Sequence, residues 1–200
     1  MFITLEGGEG AGKTTQIGLL ADWLTETLGK AVLTTREPGG TTLGKSLREM
    51  LLAPGQGPAP VTELLLYAAD RAEHVATVIR PAIEAGKVVL CDRFIDSTCA
   101  YQGYGRGLDL NVIAQLNQIA TGGLMPDLTL WLKLEPEIGL SRRKERDRLE
   151  AAGLAFHQRV YEGFTAIADY EPERVIAIDA SQSVEAVAAS IRLAVHGALL

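Results

Sequence analysis

The strongest chemical signal in the chain is a glycine-rich run near its start that ends in lysine and threonine. Gly7, Gly12, Lys13 and Thr14 fill the fixed positions of the pattern G-x-x-x-x-G-K-[ST]. Glycines let successive backbone N–H groups turn inward around an anion, in front of the positive end of a helix. In such a loop the lysine reaches the β- and γ-phosphates of a nucleotide, and the threonine hydroxyl can bind Mg²⁺. The run predicts a nucleotide-phosphate site made of Gly7, Gly8, Glu9, Gly10, Ala11, Gly12, Lys13, Thr14 and Thr15.

A strand pattern precedes this run and a helix pattern follows it, which is the context that a phosphate loop requires. Residues 2–5 form an apolar, partly β-branched run, and Ile17, Leu20 and Leu24 recur at helical spacing. The alternative is a glycine-rich turn that binds nothing, and these flanks argue against it.

An acid and an arginine, Asp92 and Arg93, follow the apolar run 87–91. In a chain that carries a phosphate loop, an acid directly after a buried strand can hold Mg²⁺ through water. Arg93 beside it could balance two phosphates at once. Residues 96–107 are polar, aromatic and glycine-rich, and we expect a loop or the irregular start of a helix that lines a small-molecule pocket.

A charged pair, Arg36 and Glu37, follows the predicted strand 31–35, just before a turn at Pro38 and two glycines. The carboxyl end of a parallel strand is where α/β proteins bind ligands. A solvated loop with a surface ion pair is equally compatible with these residues.

Tyr67 and Arg71 lie one helical turn apart on a predicted helix, 61–85, on the face that also carries Glu63 and His74. This pair could stack on a base and bind a phosphate. The residues alone favour a different interpretation, with Tyr67 in the core and Arg71 paired with an acid at the surface.

Residues 141–150 carry four arginines among other charged side chains. Such a run usually forms a solvated helix face with ion pairs four residues apart. In a nucleotide-binding chain, an alternative is a closing lid that neutralises charge in the transition state.

The composition indicates one globular domain with a sizeable core, because the chain has 200 residues of which 47% are apolar. The net charge of −6 argues against a nucleic-acid-binding surface. Cys91 and Cys99 fit neither a disulfide framework nor a metal site, which favours a reducing, cytoplasmic location. We expect no signal peptide and no membrane-spanning segment.

The order of elements predicts an α/β fold with a parallel sheet covered on both faces. The predicted strands are 2–5, 31–35, 87–91, 127–134 and 174–178. Helices are predicted from the phosphate loop to residue 29, over 43–52, 61–85 with a bend near Pro81, 110–120, 136–150, 154–169, and from residue 184 onward. Residues 53–60 are predicted to be a linker between helices.

Taken together, these segments resemble the thymidylate kinase family over essentially the whole chain. FITLEGGEGAGKTTQ is similar to the family's phosphate loop, and REPGGT, LLLYAADRAEH, CDRFIDSTCAYQG, PDLTLWL, DRLE and IDASQS follow in the family's order and spacing. The resemblance implies a single three-layer P-loop kinase domain, 1–200, with a five-stranded parallel sheet and a short arginine-rich lid at about 141–153. It implies transfer of the γ-phosphate of ATP to dTMP in dTTP biosynthesis, with Mg²⁺, by a homodimer.

The resemblance also implies residue roles. Tyr67 would stack on thymine, Arg71 would reach the base or the acceptor phosphate, and Tyr101 would crowd the space of a ribose 2′-hydroxyl. The acceptor site as a whole would comprise Glu37, Pro38, Tyr67, Arg71, Arg93, Ser97, Thr98, Tyr101 and Gln102. Thr14 and Asp92 would hold the metal, and Arg142, Ala180, Ser181 and Gln182 would contact ATP in addition to the phosphate loop.

The loop's variable positions, residues 8–11, carry no arginine, so the chain resembles the bacterial arrangement with the catalytic arginine in the lid. The implied catalytic residues are Lys13, Arg93, Arg143 and Arg146. Lys133 stands where the family pattern leads us to expect an acid.

Three alternative functions are disfavoured by particular residues. A GTPase switch would need an N/T-K-x-D motif, which the chain lacks. A nucleoside kinase would not need both Arg71 and Arg93 at an acceptor phosphate. A binding module without catalysis would not need Asp92, Arg93 and an arginine-rich lid together.

Overall fold

The computed structural model describes residues 1–55, 57–142 and 152–199. Its strands lie within one residue of the predicted positions at both ends: β1 (Phe2–Glu6), β2 (Val32–Arg36), β3 (Val88–Asp92), β4 (Leu128–Lys133) and β5 (Val175–Asp179). They form one parallel sheet in the order β2-β3-β1-β4-β5. The predicted fold class and the five-stranded parallel sheet are therefore confirmed.

The helices of the described residues are α1 (Lys13–Glu26), α2 (Thr42–Leu52), α3 (Pro60–His74), α4 (Arg80–Glu84), α5 (Ile95–Thr98), α6 (Leu110–Thr121), α7 (Pro136–Ser141), α8 (Leu154–Tyr170) and α9 (Val184–Leu199). Two π-helical segments, Val75–Ile79 and Cys99–Gly105, continue α3 and α5 respectively. None of the helices described is both long and apolar enough to cross a membrane.

The predicted helix 61–85 is distorted next to Pro81, as expected, by the π-helical segment Val75–Ile79 that directly precedes α4. Arg80 donates its backbone N–H to the carbonyl of Val75, five residues back, which widens the turn. Pro81 has no N–H, and its ring crowds the carbonyl four residues earlier. The wider turn accommodates this proline while the chain stays helical from α3 through α4.

Of the two alternatives expected for 96–107, the irregular helix is confirmed and the loop is not: most of the segment is helical and largely buried, and it lines the cleft described below. Its glycines mark close packing. A Cβ at Gly103 would lie 2.5 Å from a methyl carbon of Leu110, and one at Gly105 would lie 2.6 Å from the ring of Phe156. Packing against α8 therefore overrides the low helix propensity of glycine here.

The sheet has a helical layer on each face. Alternate residues of β1, Ile3 and Leu5, pack against Leu20 and Leu24 of α1 and, with them, against α9. Phe2 points to the other face, towards the helical segment that runs from α3 to α4. Further along that face, Trp131 and Val175 pack against α8 and the π-helical segment 99–105.

A polar strip lies between the two apolar clusters of this second face. Thr4 and Thr129 share a hydrogen bond of 2.8 Å, and Thr129 donates to Asp96 at 3.0 Å. Arg174, just before β5, donates to both oxygens of Asp96 at 2.8 Å and also pairs with Glu171. This network connects β1, β4 and the residue before β5 to α5, which leads into the cleft described below.

We expect Arg174→Ala to lower the free energy of unfolding by about 3–5 kcal/mol, because it leaves the buried Asp96 carboxylate without its partner. Glu171→Ala is the matched control: it removes the more exposed partner of the same guanidinium and should cost less than about 1 kcal/mol. Urea unfolding of both variants measures the difference. Equal losses of unfolding free energy would contradict the view that Arg174 stabilises the fold mainly through Asp96 and not through Glu171.

Candidate functional site

The order of the sheet explains why the chemically interesting residues meet. The strands β2, β3 and β1 are neighbours, and their carboxyl ends lie at one edge of the sheet. Glu37 follows β2, Asp92 ends β3, and the phosphate loop (residues 7–12) follows β1. Three segments far apart in sequence are thus brought to the mouth of one cleft.

The phosphate loop has the predicted strand–loop–helix geometry. Gly12 precedes α1 with a φ of 90°, and Gly10 has a φ of 67°. A Cβ at Gly10 would lie 2.2 Å from the carbonyl oxygen of Gly139, so the loop packs directly on α7. Glycine is required at residue 10 for both reasons.

Lys13 is buried and folds back over its own loop. Its Nζ donates to the carbonyl oxygens of Gly7, at 3.1 Å, and Gly8, at 2.9 Å. Burial lowers the pKa of the ammonium group, and the nearby Arg93 lowers it further. A bound anion would relieve both effects, because it would supply the negative charge that the carbonyls only partly provide.

Arg93 lies beside Lys13 and is held from several sides. Its Nη1 donates to the carbonyl of Gly7 at 3.0 Å, and its Nη2 donates to Glu9 Oε1 at 2.6 Å. The guanidinium lies 4.9 Å from the ring centroid of Tyr101, whose hydroxyl donates to the same Glu9 oxygen at 2.9 Å. Burial alone would raise the pKa of Glu9, but Arg93 and Lys13 lower it to about 2.

A second cluster surrounds Glu37, which is 3% exposed. Arg71 Nε donates to its Oε2 at 2.9 Å, and His74 Nδ1 lies 3.0 Å from its Oε1. Arg71 also donates to Asn117 Oδ1 at 2.7 Å and to the carbonyl of Phe94 at 3.0 Å. Three of its five N–H groups are therefore used within the protein, and two remain for a ligand.

The surface interpretations of these residues are wrong. Arg71 is 2% exposed, so it is not the surface partner of an acid, and Glu37 is not part of a solvated ion pair. Tyr67 is half-buried and lines the cleft.

The two cysteines are free thiols in the structure. Cys91 is buried, Cys99 is half-buried, and neither is in a disulfide. This agrees with the expectation that their spacing does not form a disulfide framework.

The cleft has a volume of ≈ 510 Å³ and is lined by most of the predicted residues. These are Glu9, Gly10, Ala11, Gly12, Lys13, Thr14, Thr15, Glu37, Pro38, Tyr67, Arg71, Asp92, Arg93, Ser97, Thr98, Tyr101, Gln102 and Arg142. Gly7 and Gly8 begin the loop without lining the cleft. The predicted lid residues Arg143 and Arg146 lie outside the described residues.

Three residues were predicted to contact ATP in addition to the phosphate loop: Ala180, Ser181 and Gln182. They form the turn between β5 and α9 and do not line this cleft. Ser181 and Gln182 are exposed, and both donate to the carboxylate of Asp179. Gln16, in the first turn of α1, donates to the carbonyl of Val184 at 3.0 Å. The turn is thereby held next to the start of α1, close to the phosphate loop.

Four further residues line the cleft that the sequence did not assign to it: Arg36, Arg48, Leu52 and Phe94. Arg36 was visible as the neighbour of Glu37. Arg48 and Leu52 lie on α2, one turn apart, and reach the cleft because α2 packs on α3. Arg48 donates to the carbonyl of Pro38 at 3.1 Å. No local pattern marks such residues, since the packing of two helices places them.

Asp92 and Thr14 fit a site for a divalent cation. Asp92 Oδ1 is buried without a hydrogen-bond partner, and both residues line the cleft next to Lys13. A buried carboxylate oxygen without a partner is unfavourable unless a cation or water is bound to it. Mg²⁺ is usually bound through one or two carboxylates together with water and substrate phosphates, which suits a cleft of this kind.

Comparison with known proteins gives a consistent result. The thymidylate kinase family model matches residues 5–191. The chain is 64% identical over 191 residues to a thymidylate kinase of Synechococcus sp. (strain JA-2-3B'a(2-13)), covering 96% of this chain and 92% of that protein. It is 61% identical over 200 residues to a thymidylate kinase of Gloeobacter violaceus, covering 98% and 94%. A crystal structure of thymidylate kinase from Ehrlichia chaffeensis is 39% identical, with a TM-score of 0.82 over 98% of each chain.

The pKa of Glu9 predicts how its contribution to stability depends on pH. Because folding lowers this pKa from 4.5 to about 2, ionised Glu9 stabilises the folded protein above about pH 4.5. The stabilisation is of the order of 3 kcal/mol and is lost as the pH falls towards about 2. We expect Glu9→Gln to be less stable than the parent at pH 7, with a difference that shrinks on acidification.

Urea unfolding between pH 7 and pH 3 measures this difference. Glu26→Gln, on the exposed side of α1, is the control and should show no comparable trend. A difference between parent and Glu9→Gln that stays constant with pH would contradict the assignment.

Proposed function

The chain belongs to the thymidylate kinase family, which phosphorylates dTMP to dTDP with ATP, and we propose that the cleft described above is where its γ-phosphate transfer takes place. The main support is the position of Lys13, which is buried, beside Arg93, whose side chain is 18% exposed, at the phosphate loop and next to the carboxylate of Asp92. An acceptor phosphate oxygen needs no strong base to attack phosphorus, so positioning and charge neutralisation supply the rate.

On the donor side, we propose that the phosphate loop and Lys13 bind the β- and γ-phosphates of ATP. Arg142 supports this assignment, because its Nη1 donates to the carbonyl of Gly10 at 3.3 Å from the end of α7. We assign the adenine to the turn formed by Ala180, Ser181 and Gln182, which Gln16 holds near the start of α1.

On the acceptor side, we propose that dTMP lies between the phosphate loop and α3. Tyr67 would stack on thymine, while Thr98 and Gln102 would line the base and sugar pocket and Tyr101 would exclude a 2′-hydroxyl. The acceptor phosphate would lie between Arg93 and the free N–H groups of Arg71. Arg36 and Arg48 add two further guanidinium groups at the mouth of this pocket.

We propose that Mg²⁺ is held by Thr14 and Asp92 together with phosphate oxygens and water. When bound, the cation neutralises charge on the phosphate chain. The chain's own contribution is the buried Oδ1 of Asp92, which has no hydrogen-bond partner among the described residues. Arg143 and Arg146, in the proposed lid at about 141–153, would complete the positive charge around the transferred group.

We further propose a cytoplasmic homodimer in which residues 1–200 form one kinase domain. Exposed apolar side chains on α3 and α6 support the dimer: Leu65 is 50% exposed, Val112 48% and Ile119 77%. These two helices pack on each other, so the side chains form one apolar surface. The free thiols of Cys91 and Cys99 are compatible with a reducing location.

Lys13→Ala should lower kcat by about three orders of magnitude, because a charge contact to the transition state in a dry site is worth about 3–4 kcal/mol. Steady-state kinetics with ATP and dTMP measure this. Lys30→Ala, at an exposed position after α1, is the control and should leave kcat unchanged. Near-normal turnover of Lys13→Ala would show that the phosphate loop is not where phosphoryl transfer occurs.

Arg71→Lys should raise the KM for dTMP by about tenfold or more while changing the KM for ATP little, since each charge-assisted hydrogen bond is worth about 1.5–3 kcal/mol. Lysine keeps the charge but loses the planar fork that contacts Glu37, Asn117 and the phosphate at once. Arg80→Lys, on the same continuous helical run but outside the cleft, is the matched control.

The same kinetics with thymidine separate a nucleotide kinase from a nucleoside kinase. Without a phosphate, thymidine leaves Arg71 and Arg93 uncompensated, so it should be a negligible acceptor. Comparable turnover of thymidine and dTMP, or an Arg71→Lys variant with unaltered KM for dTMP, would refute the acceptor assignment.

A further inference from the structure

Glu6 is a fully buried carboxyl group at the end of β1, directly before the phosphate loop. It is 0% exposed and does not line the cleft. Both of its oxygens accept hydrogen bonds from the segment that follows β3: Oε1 from the backbone N–H of Phe94 at 2.7 Å, and Oε2 from the hydroxyl of Ser97 at 2.5 Å. Burying a carboxylate is energetically unfavourable unless it is hydrogen-bonded or paired with a cation. The groups that bind Glu6 therefore indicate its role.

The hydroxyl of Ser97 connects Glu6 to Arg93. Ser97 has one hydroxyl proton, which it donates to Glu6, and its lone pairs then face the guanidinium. Arg93 Nη1 donates to this oxygen at 3.2 Å. When ionised, the carboxylate of Glu6 thereby fixes the direction of the serine hydroxyl and keeps an acceptor in place for Arg93.

The backbone contact of Glu6 acts on the same arginine. Arg93 donates its N–H to the carbonyl of Leu5 as the last contact between the two strands, and then adopts a φ of 71°. Non-glycine residues rarely adopt this conformation. It turns the chain out of the sheet, and the next N–H, that of Phe94, is taken up by Glu6. The carboxylate thus holds the turn that directs Arg93 back towards the loop.

We propose that Glu6 is a positioning residue for Arg93, acting through the hydroxyl of Ser97 and the backbone N–H of Phe94. This rests on the proposed function, in which Arg93 contacts the reacting phosphates. Glu9 also pairs with Arg93, but from within the cleft, where the incoming phosphates compete for the same guanidinium. Glu6 is fully buried and does not line the cleft, so its hold on Arg93 through Ser97 and Phe94 is not open to that competition.

A double-mutant cycle between Glu6 and Arg93 tests this proposal. Glu6→Gln keeps an oxygen for Phe94 but places an amide donor against Ser97, so the hydroxyl no longer serves Arg93 as before. We expect kcat to fall by about tenfold or more in Glu6→Gln, and by less than about twofold further when the same change is made in Arg93→Ala. The assays belong at pH 8, because burial and Asp96 raise the pKa of Glu6 to about 7.

Thr4→Val is the matched control. Thr4 lies on the same face of β1, is also fully buried and loses a buried hydrogen bond, but it contacts Thr129 and not Arg93. It should change kcat by less than about twofold in either background. Ser97→Ala cuts the same connection with a small change in shape. Because Ser97 also lines the cleft, its effect on kcat, and not that on the KM for dTMP, is the one that should vanish in Arg93→Ala. This kcat effect decides the question if Glu6→Gln does not fold.

The outcomes separate the proposals. If Glu6→Gln lowers kcat by the same factor with and without Arg93, or leaves kcat unchanged, Glu6 does not act through Arg93. If Arg93→Ala itself turns over normally, the proposed role of Arg93 is wrong.

Discussion

The site depends on holding two cations, Lys13 and Arg93, side by side in a largely buried place. Each cation disfavours the charge of the other, and burial adds to the cost for Lys13. The protein offsets this with carboxylates on three segments: Glu6 at the end of β1, Glu9 in the phosphate loop and Asp92 at the end of β3. Because only the order β3-β1 in the sheet brings these segments together, the electrostatics of the site depend on the topology of the sheet.

The sequence predicted the local parts of this arrangement well, since their signals are local. The strand–glycine loop–helix pattern, the acid at the end of β3 and the five strands are read from neighbouring residues. The role of Glu6 could not be predicted in this way. Its hydrogen-bond partners are 88 and 91 residues away in the sequence. Nothing about a glutamate at the end of a largely apolar strand indicates which residues these are. Arg48 and Asn117 were missed for the same reason.

Glycine was the residue whose role the sequence defined least well. In the phosphate loop it has the role that the pattern predicted, because Gly10 and Gly12 adopt positive φ values. In 96–107 the same residue type left a loop and an irregular helix open, and Gly103 and Gly105 lie in an irregular helix where a Cβ would come too close to the side chains of Leu110 and Phe156 as they stand. A sequence shows where a glycine stands. It does not show whether a positive φ or a closely packed neighbour requires glycine at that position. Only the packing of α6 and α8 distinguishes the two.

The two glutamates near Arg93, Glu9 and Glu6, differ in whether a substrate can reach them. The side chain of Glu9 is 14% exposed and contacts the cleft, so an incoming phosphate can replace it as the partner of Arg93. Glu6 is 0% exposed and is hydrogen-bonded to α5 and to the turn after β3, so no ligand can reach it. Under the proposed function, exchange of Glu9 for phosphate would let Arg93 bind substrate without ever being left unpaired. In the role proposed for it, Glu6 would keep the orientation of Arg93 during that exchange, which is the condition for charge neutralisation without reorganisation at the moment of reaction.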